Sequence, residues 1–527
     1  TLSSYDGPGQ ALLTGGTKLT GQWAAMTPTE QQQLFPAASA PFDGSTVLKM
    51  PLAGVLPPGA TVEGLQLIDT STAEGAAGLA MDPSEAYVAA TPLPKLSRAT
   101  RARYPNVESI ETNLFPEGWI QGGGVHWIGR TFADRSTVRF KNFSRTQETP
   151  LVGDPELGWR GSYQDYWLGV GGECGRQFEP PEACSCAGDE HTAAMSRLNG
   201  GLTHIGLPPK GATGAVVPAG LLPNAKYYND SWWRGVVVHG RPTEWYTSQF
   251  AVNSSVLSNR DSKGQPEVQM TFGRGGFGGN AAADSCGGWW LDNVAAELDS
   301  PNEFWFDAAS STLYYISNSS TSATPPPTTT FVALTRQVLV NITGVTTGGP
   351  LAFSGLRFAG AAHTFLAPHG VPSGGDWTLA NKAAVIAEDT VGLTFVHCKF
   401  ERLDGSAILL RGRHRGTQIE RNEFVFLGES GVAAWGRTGR RDPSDGSTID
   451  GWDGTTGEQP RGVHFVRNLV HEIGHYQKQS SAWFQAQSCL NNISGNLLYN
   501  GPRALINFND GFGGGSVVES NLIFNSV

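Results

Sequence analysis

The stretch VRNLVHEIGHYQKQSSAWFQ, residues 466–485, contains the pentapeptide HEIGH at 471–475. Read as a helix, it places His471 and His475 on one face around a zinc ion, with Glu472 activating a bound water. Read as strand and turn, the same letters carry no metal chemistry. The choice rests on what the neighbouring sequence does.

The neighbouring sequence repeats. LTFVHCKFERLDGSAILL (393–410), TQIERNEFVFLGESGVAAW (417–435), VHFVRNLVHEIGH (463–475), NNISGNLLYNGPRALINF (491–508) and SVVESNLIFNSV (516–527) share one pattern. Each opens on alternating apolar residues, reaches Cys or Asn, and adds a short apolar strand before a turn. The markers Cys398, Asn422, Asn468, Asn496 and Asn521 are separated by 24, 46, 28 and 25 residues, and the long step contains the polar segment 438–462. Short strands recurring every ~25 residues predict a solenoid in which each turn buries its inward side chains on the next. Equivalent residues then stack at the spacing of paired strands. A column of asparagines predicts an internal amide ladder at a turn.

Counting three residues on from each marker aligns His471 with Val425, Tyr499 and Phe524. Those are strand residues, so His471 is predicted on a strand. Gly474 would also cost a helix about 1 kcal/mol. The longer metzincin pattern wants Gly and His where this chain has Lys478 and Ser481. HEIGH is read as a coincidence of spelling.

Composition agrees with an all-β chain. The 527 residues include 68 Gly, 32 Pro, 25 Phe and 15 Trp, and only 16% are charged. A net charge of −10 argues against nucleic acid as a partner. No apolar run approaches the roughly 18 residues that a membrane span needs. Sequons at Asn142, Asn229, Asn253, Asn318, Asn341 and Asn492, with the Ser/Thr/Pro-rich segment 317–330, point to a secreted or cell-surface glycoprotein. The six cysteines are too few for a disulfide scaffold, although Cys174, Cys184, Cys186 and Cys286 could supply one or two bridges.

Residues 1–20 read as an early coil and 331–527 as the regular solenoid, with 438–462 as a polar loop. The Trp-rich region 21–330 between them reads as an inserted β-sandwich-like domain. Within it, LDSPNEFWFDAASSTLYYI (298–316) predicts a hairpin.

RARYPN (101–106), that hairpin, KQSSAWFQA (478–486) and GPRALINFNDGFGGG (501–515) resemble secreted right-handed parallel β-helix proteins of the pectate-lyase-like superfamily. The resemblance implies that fold, a polysaccharide or glycoconjugate partner, and glycoside hydrolase or polysaccharide lyase activity. Members usually carry further coils before the equivalent of residue 1 and after that of Val527. The chain is therefore expected to be an ordered section of a longer protein, with a further chain or protein continuing the β-helix. No cofactor is implied.

A solenoid has a packed interior, so chemistry is expected on an outer face or in a groove walled by loops. A bulge in HYQKQSSAWFQ is predicted to present His475, Lys478 and Gln479. One turn on stand Arg503, Asn507, Asn509 and Asp510, and aligning SSAW with RALI places Ser480 beside Arg503; one turn back lie Glu429 and Ser430. As a lyase, Lys478 or His475 would remove the proton α to a uronate carboxyl that Arg503 neutralises. As a hydrolase, Asp510 with Glu429 or Glu472 would supply an acid and a second carboxylate. The bland reading makes Arg503 and Asp510 an ion pair and NDGFGGG a tight turn.

Arg411, Arg413, Arg415, Arg437, Arg440 and Arg441 could form a basic patch for a uronate or sulfated polymer, or merely a solvated turn surface. Asp442, Asp445, Asp450 and Asp453 allow calcium without matching an EF-hand. Trp232, Trp233 and Trp245 are sugar platforms or core. The alternative to an enzyme is a non-catalytic structural or glycan-binding component of a cell coat or surface appendage.

Overall fold

A computed structural model describes residues 1–4, 11–35, 47–58, 67–73, 94–104, 126–128, 214–219, most of 222–316, 331–344, most of 350–436, 439–441, 448–450, 457–509 and 513–526. These residues are mostly strand. Among them no helix is long and apolar enough to cross a membrane.

Three parallel sheets organise the C-terminal half. The first contains Leu2–Ser3, Ala352–Ser354, Thr394–Val396, Gln418–Glu420, His464–Val466, Asn492–Ser494 and Val517–Glu519. The second contains Leu12–Thr14, Arg357–Ala361, Lys399–Leu403, Glu423–Val425, Leu469–His471, Leu497–Gly501 and Leu522–Ser526. The third contains Val340–Thr343, Ala383–Glu388, Ser406–Arg411, Val432–Trp435, Trp483–Ala486 and Ile506–Phe508. The chain visits the three in the same order on each circuit and advances one strand in each.

The alternation of the repeats explains this layout. From Ala352 onward, the second residue of each strand in the first two sheets points inward, so Phe353 stacks on Phe395 at 4.9 Å, and Phe400 lies between Phe358 and Phe424 at 4.6 and 4.7 Å. Inward residues of all three sheets, Phe395, Phe424 and Val432 among them, form one continuous core. Burying such a phenylalanine contributes about 2 kcal/mol.

From residue 354 onward, the corner between the first and second sheets is always two residues long. The first of the two is left-handed in every circuit: Gly355, His397, Arg421, Arg467, Gly495 and Ser520 have φ of 54–66°. That conformation costs a non-glycine residue about 1 kcal/mol. The second residue supports it. Asn422 Nδ2 donates to Asn468 Oδ1 (3.1 Å), Asn468 Nδ2 to Asn496 Oδ1 (3.2 Å), and Asn496 Nδ2 to Asn521 Oδ1 (2.8 Å). The amide ladder predicted from the repeat is present. His471 pairs with Val425 on one side and Tyr499 on the other, as the alignment predicts, and lies on a strand. The helical zinc site is thereby ruled out.

Between Leu12–Thr14 and Val340–Thr343 the chain builds other sheets. A seven-stranded antiparallel sheet has Tyr246–Arg260 near its centre, flanked by Val237–Thr243 and Pro266–Gly275. The predicted hairpin pairs Glu303–Asp307 with Thr312–Ile316. The seven-stranded sheet rests on the parallel stack where Val237 and Ala251 meet Phe365, Leu366 and Tyr476.

Candidate functional site

The corner between the second and third sheets is where the sequence placed its candidate chemistry. The register there is as read. Val432 pairs with Trp483 and Trp483 with Ile506. Ser481 N–H donates to Ser430 Oγ (3.1 Å), and Ser481 Oγ donates to the Ala504 carbonyl (2.6 Å). Ser480 therefore falls level with Glu429 on one circuit and Arg503 on the next.

The expected outward bulge is corrected. His475, Lys478 and Gln479 are buried, Lys478 with 0% exposure. A polar loop turned inward must find partners for its backbone, and this one finds them on the seven-stranded sheet. Thr247 N–H donates to Gln477 Oε1 (3.1 Å), Gln477 Nε2 to the Thr247 carbonyl (3.0 Å), Gln249 Nε2 to the Tyr476 carbonyl (2.7 Å), and Lys478 N–H to Thr247 Oγ1 (3.1 Å). Lys478 Nζ donates to the carbonyls of Gly474 (2.9 Å) and His475 (3.1 Å). An ammonium so engaged fastens the turn, whereas a lyase base needs a free lone pair.

Glu429 has the properties of an acid. It is buried and accepts from Thr364 Oγ1 (2.6 Å) and Ser406 Oγ (3.0 Å). Burial pushes its carboxyl up to about 7, with the two hydroxyls offsetting part of that rise. Asp404 is buried at the same corner one circuit earlier. Glu429 N–H donates to the carbonyl of Gly405 beside it (3.3 Å). Thr364, Ser406 and Asp404 escaped the sequence reading, although LDGS (403–406) and LGES (427–430) occupy the same place in successive repeats.

A second buried group lies where the inserted sheet meets the stack. Asp292 faces Arg101 (3.6 Å), Arg103 (3.4 Å) and His239 (3.0 Å). Burial alone would raise the Asp292 carboxyl, but Arg103, His239 and Arg101 together hold it well below the usual range. His239 stacks on Trp290 at 4.2 Å and reaches Phe365 and Tyr476 at 5.4 and 6.0 Å. The field of Asp404 also acts on Arg101, which links this group to the corner.

The remaining candidates are dispersed. Arg503 lies 4.8 Å over the ring of Trp377. Asp510 lies outside the described residues, as do the side chains of Arg437, Arg440, Arg441, Asp442, Asp445, Asp450 and Asp453. Of the expected basic patch, Arg411 bonds Glu388 at 2.9 Å, Arg415 bonds the carbonyls of His414, Gln459 and Gly457 at 2.7 Å, and Arg413 is exposed. Trp232 is core, stacked on Tyr228 at 4.3 Å; Trp245 lies outside the described residues.

No protein-family model matches the chain, and no curated protein does. Among solved structures, a chain described as a glycoside hydrolase matches with a TM-score of 0.42 and 16% identity, covering 57% of this chain and 55% of that one.

Proposed function

We propose that this is a carbohydrate-active protein built as a right-handed parallel β-helix interrupted by residues 21–330, and that Glu429 is the general acid of a glycosidic hydrolysis. The observation that carries the reading is a carboxyl raised to about 7 and gripped by two hydroxyls. Such a group holds a proton near neutrality and can release it to a departing glycosidic oxygen. Asp404 one circuit back is taken as the second carboxylate, in place of the Asp510 that the sequence paired with Glu429. The repeat, the asparagine ladder and the resemblance of the four motifs support the β-helical reading. A second reading, a non-catalytic glycan-binding protein, is favoured by the seal that Thr247 and Gln249 make over residues 476–478.

One variant tests both. Wild type releases reducing ends from at least one member of a panel of neutral, uronic and sulfated polysaccharides, and Glu429→Gln lowers that rate at least 100-fold. Silence of the folded wild type across the panel selects the second reading. The same variant has a pH signature in stability. Below the ordinary value of 4.5, Glu429 is protonated in folded and unfolded chains alike. Between 4.5 and about 7 only the unfolded chain ionises, so stability falls by about 3 kcal/mol across that window. Glu429→Gln abolishes this share, measured as urea unfolding at pH 4.5 and 7.5. Glu297, buried and also raised to about 7, contributes the same slope in both proteins.

We also place the protein outside the cell. Asn253 and Asn341 are exposed, whereas Asn492 is half-buried between His464 and Val517; Asn142, Asn229 and Asn318 lie outside the described residues. Material from the natural source is expected to lose mass on enzymatic deglycosylation, with glycans mapped to Asn253 and Asn341. Unmodified peptides at both positions would overturn the placement.

A further inference from the structure

Thr364 and Glu429 bond each other although their circuits are not neighbours. Asp404 N–H donates to the Ala361 carbonyl (3.0 Å), and Glu429 N–H donates to the Gly405 carbonyl (3.3 Å), so the circuit carrying 403–406 runs between them. Two circuit spacings put the backbones of 364 and 429 roughly 10 Å apart. The side chains nevertheless meet, with Thr364 Oγ1 donating to Glu429 Oε1 at 2.6 Å. Ser406, the other donor to Glu429, stands on the intervening circuit and has no such gap to cross.

The contact passes through the space that a side chain at 405 would fill. An alanine methyl at Gly405 would lie 2.4 Å from Thr364 Oγ1 and 2.8 Å from its Cγ2. The Gly405 backbone is not left-handed, so conformation does not call for glycine there; the passage does. Thr364 has little room to retreat. It is buried, and its carbonyl accepts from Ala367 N–H (2.7 Å). The carbonyl of His363 before it accepts from Gln337 Nε2 (2.7 Å). Phe365 and Leu366 after it pack against Val237 and Ala251 of the inserted sheet. The insert therefore anchors the segment that carries the hydroxyl.

Two donors from two circuits thus hold one carboxyl, Thr364 on Oε1 and Ser406 on Oε2. A donor favours the ionised form, so each opposes the effect of burial, and Thr364 does so more strongly than the Ser406 hydroxyl. The charged groups around the corner are Asp404 on the preceding circuit, His475 and Lys478 on the following one, and Arg101, His239 and Asp292 at the seam. The Glu429 carboxyl responds instead to burial, Thr364 and Ser406, in that order.

We propose that Thr364 is a positioning residue of the Glu429 corner: reaching across the Gly405 gap, its hydroxyl fixes the carboxyl in place and sets the alkaline limit of the hydrolysis. Because the inserted sheet packs on Phe365 and Leu366, it acts on the corner by the same route. The inference rests on the reading of Glu429 as general acid, but the contact itself is tested without any substrate.

The test follows the Glu429 proton as the carboxylic C=O infrared band of the whole chain, titrated across the neutral range. Each protein is compared with its own Glu429→Gln counterpart, which lacks that band. Thr364→Val removes the hydroxyl and keeps the shape, Thr364→Ser keeps the hydroxyl, and Gly405→Ala closes the gap with the hydroxyl still present. Expected is a midpoint raised by about one pH unit in Thr364→Val, raised likewise in Gly405→Ala and unmoved in Thr364→Ser. Unfolding temperatures confirm that each variant folds; should Gly405→Ala not fold, the Thr364 pair decides alone. On whichever polymer the wild type cleaves, the alkaline limb of the rate moves with the midpoint. An unmoved midpoint in Thr364→Val or in folded Gly405→Ala, or an equal rise in Thr364→Ser, overturns the inference and leaves the acid reading to the rate of Glu429→Gln. A midpoint that moves while the alkaline limb stays, or while no polymer is cleaved, upholds the contact and overturns Glu429 as the acid.

Discussion

Asn468→Ala lowers folding stability by about 4 kcal/mol. The Asn468 side chain accepts from Asn422 N–H (3.0 Å) and Nδ2 (3.1 Å), and donates to the Ile419 carbonyl (2.8 Å) and Asn496 Oδ1 (3.2 Å). Asn468 is fully buried. Alanine removes four hydrogen bonds and leaves the Asn422 N–H without a partner in a dry corner. Each orphaned buried group costs about 1–3 kcal/mol, and the left-handed Arg467 beside it loses its support. Asn521, at the same position but only half-buried, loses less on the same change. Chemical unfolding of both variants checks this; equal losses would show that the ladder does not act through burial.

Asp292→Asn costs about 3–5 kcal/mol, the range for breaking a buried ion pair from one side. Two guanidinium groups, Arg101 and Arg103, then remain inside without their carboxylate, at the seam between the inserted sheet and the parallel stack. Because the Asp292 carboxyl is held below its ordinary value, its contribution is present above that value and is lost only as pH falls below it. The deficit should therefore be the same at pH 4.5 and pH 7.5, in contrast to Glu429→Gln. Urea unfolding at the two pH values reads this directly, and a deficit that differs between them would show that Asp292 is not ionised as placed.

What was legible in the sequence was whatever repeats. The strand positions of His471 and Tyr499, the ladder of Asn422, Asn468, Asn496 and Asn521, and the level of Ser480 with Arg503 all follow from local alternation and a constant interval. What was not legible was contact between segments far apart in sequence. Nothing in KQSS announces that Thr247, more than 200 residues away, will cover Lys478 and turn it inward. The polar letters that looked like a presented surface are the partners a buried seam needs, and composition cannot tell those two apart. Asp404 was overlooked for a related reason: in LDGS an Asp-Gly pair looks like turn chemistry, and only its burial beside Glu429 gives it another meaning.

The two-residue corner has a consequence for how this chain can vary. One extra residue there would slide an amide out of the ladder and turn every side chain of the following strand to the opposite face. From residue 354 onward, length change is therefore excluded from that edge and diverted to the other two. The stretches 15–339, 362–382 and 472–482 all join the second sheet to the third, and 436–463 joins the third to the first. The molecule thus has a spine copied from circuit to circuit and two margins open to rewriting. Descendants of such a chain could acquire or lose an entire inserted sheet while inheriting the spine unaltered.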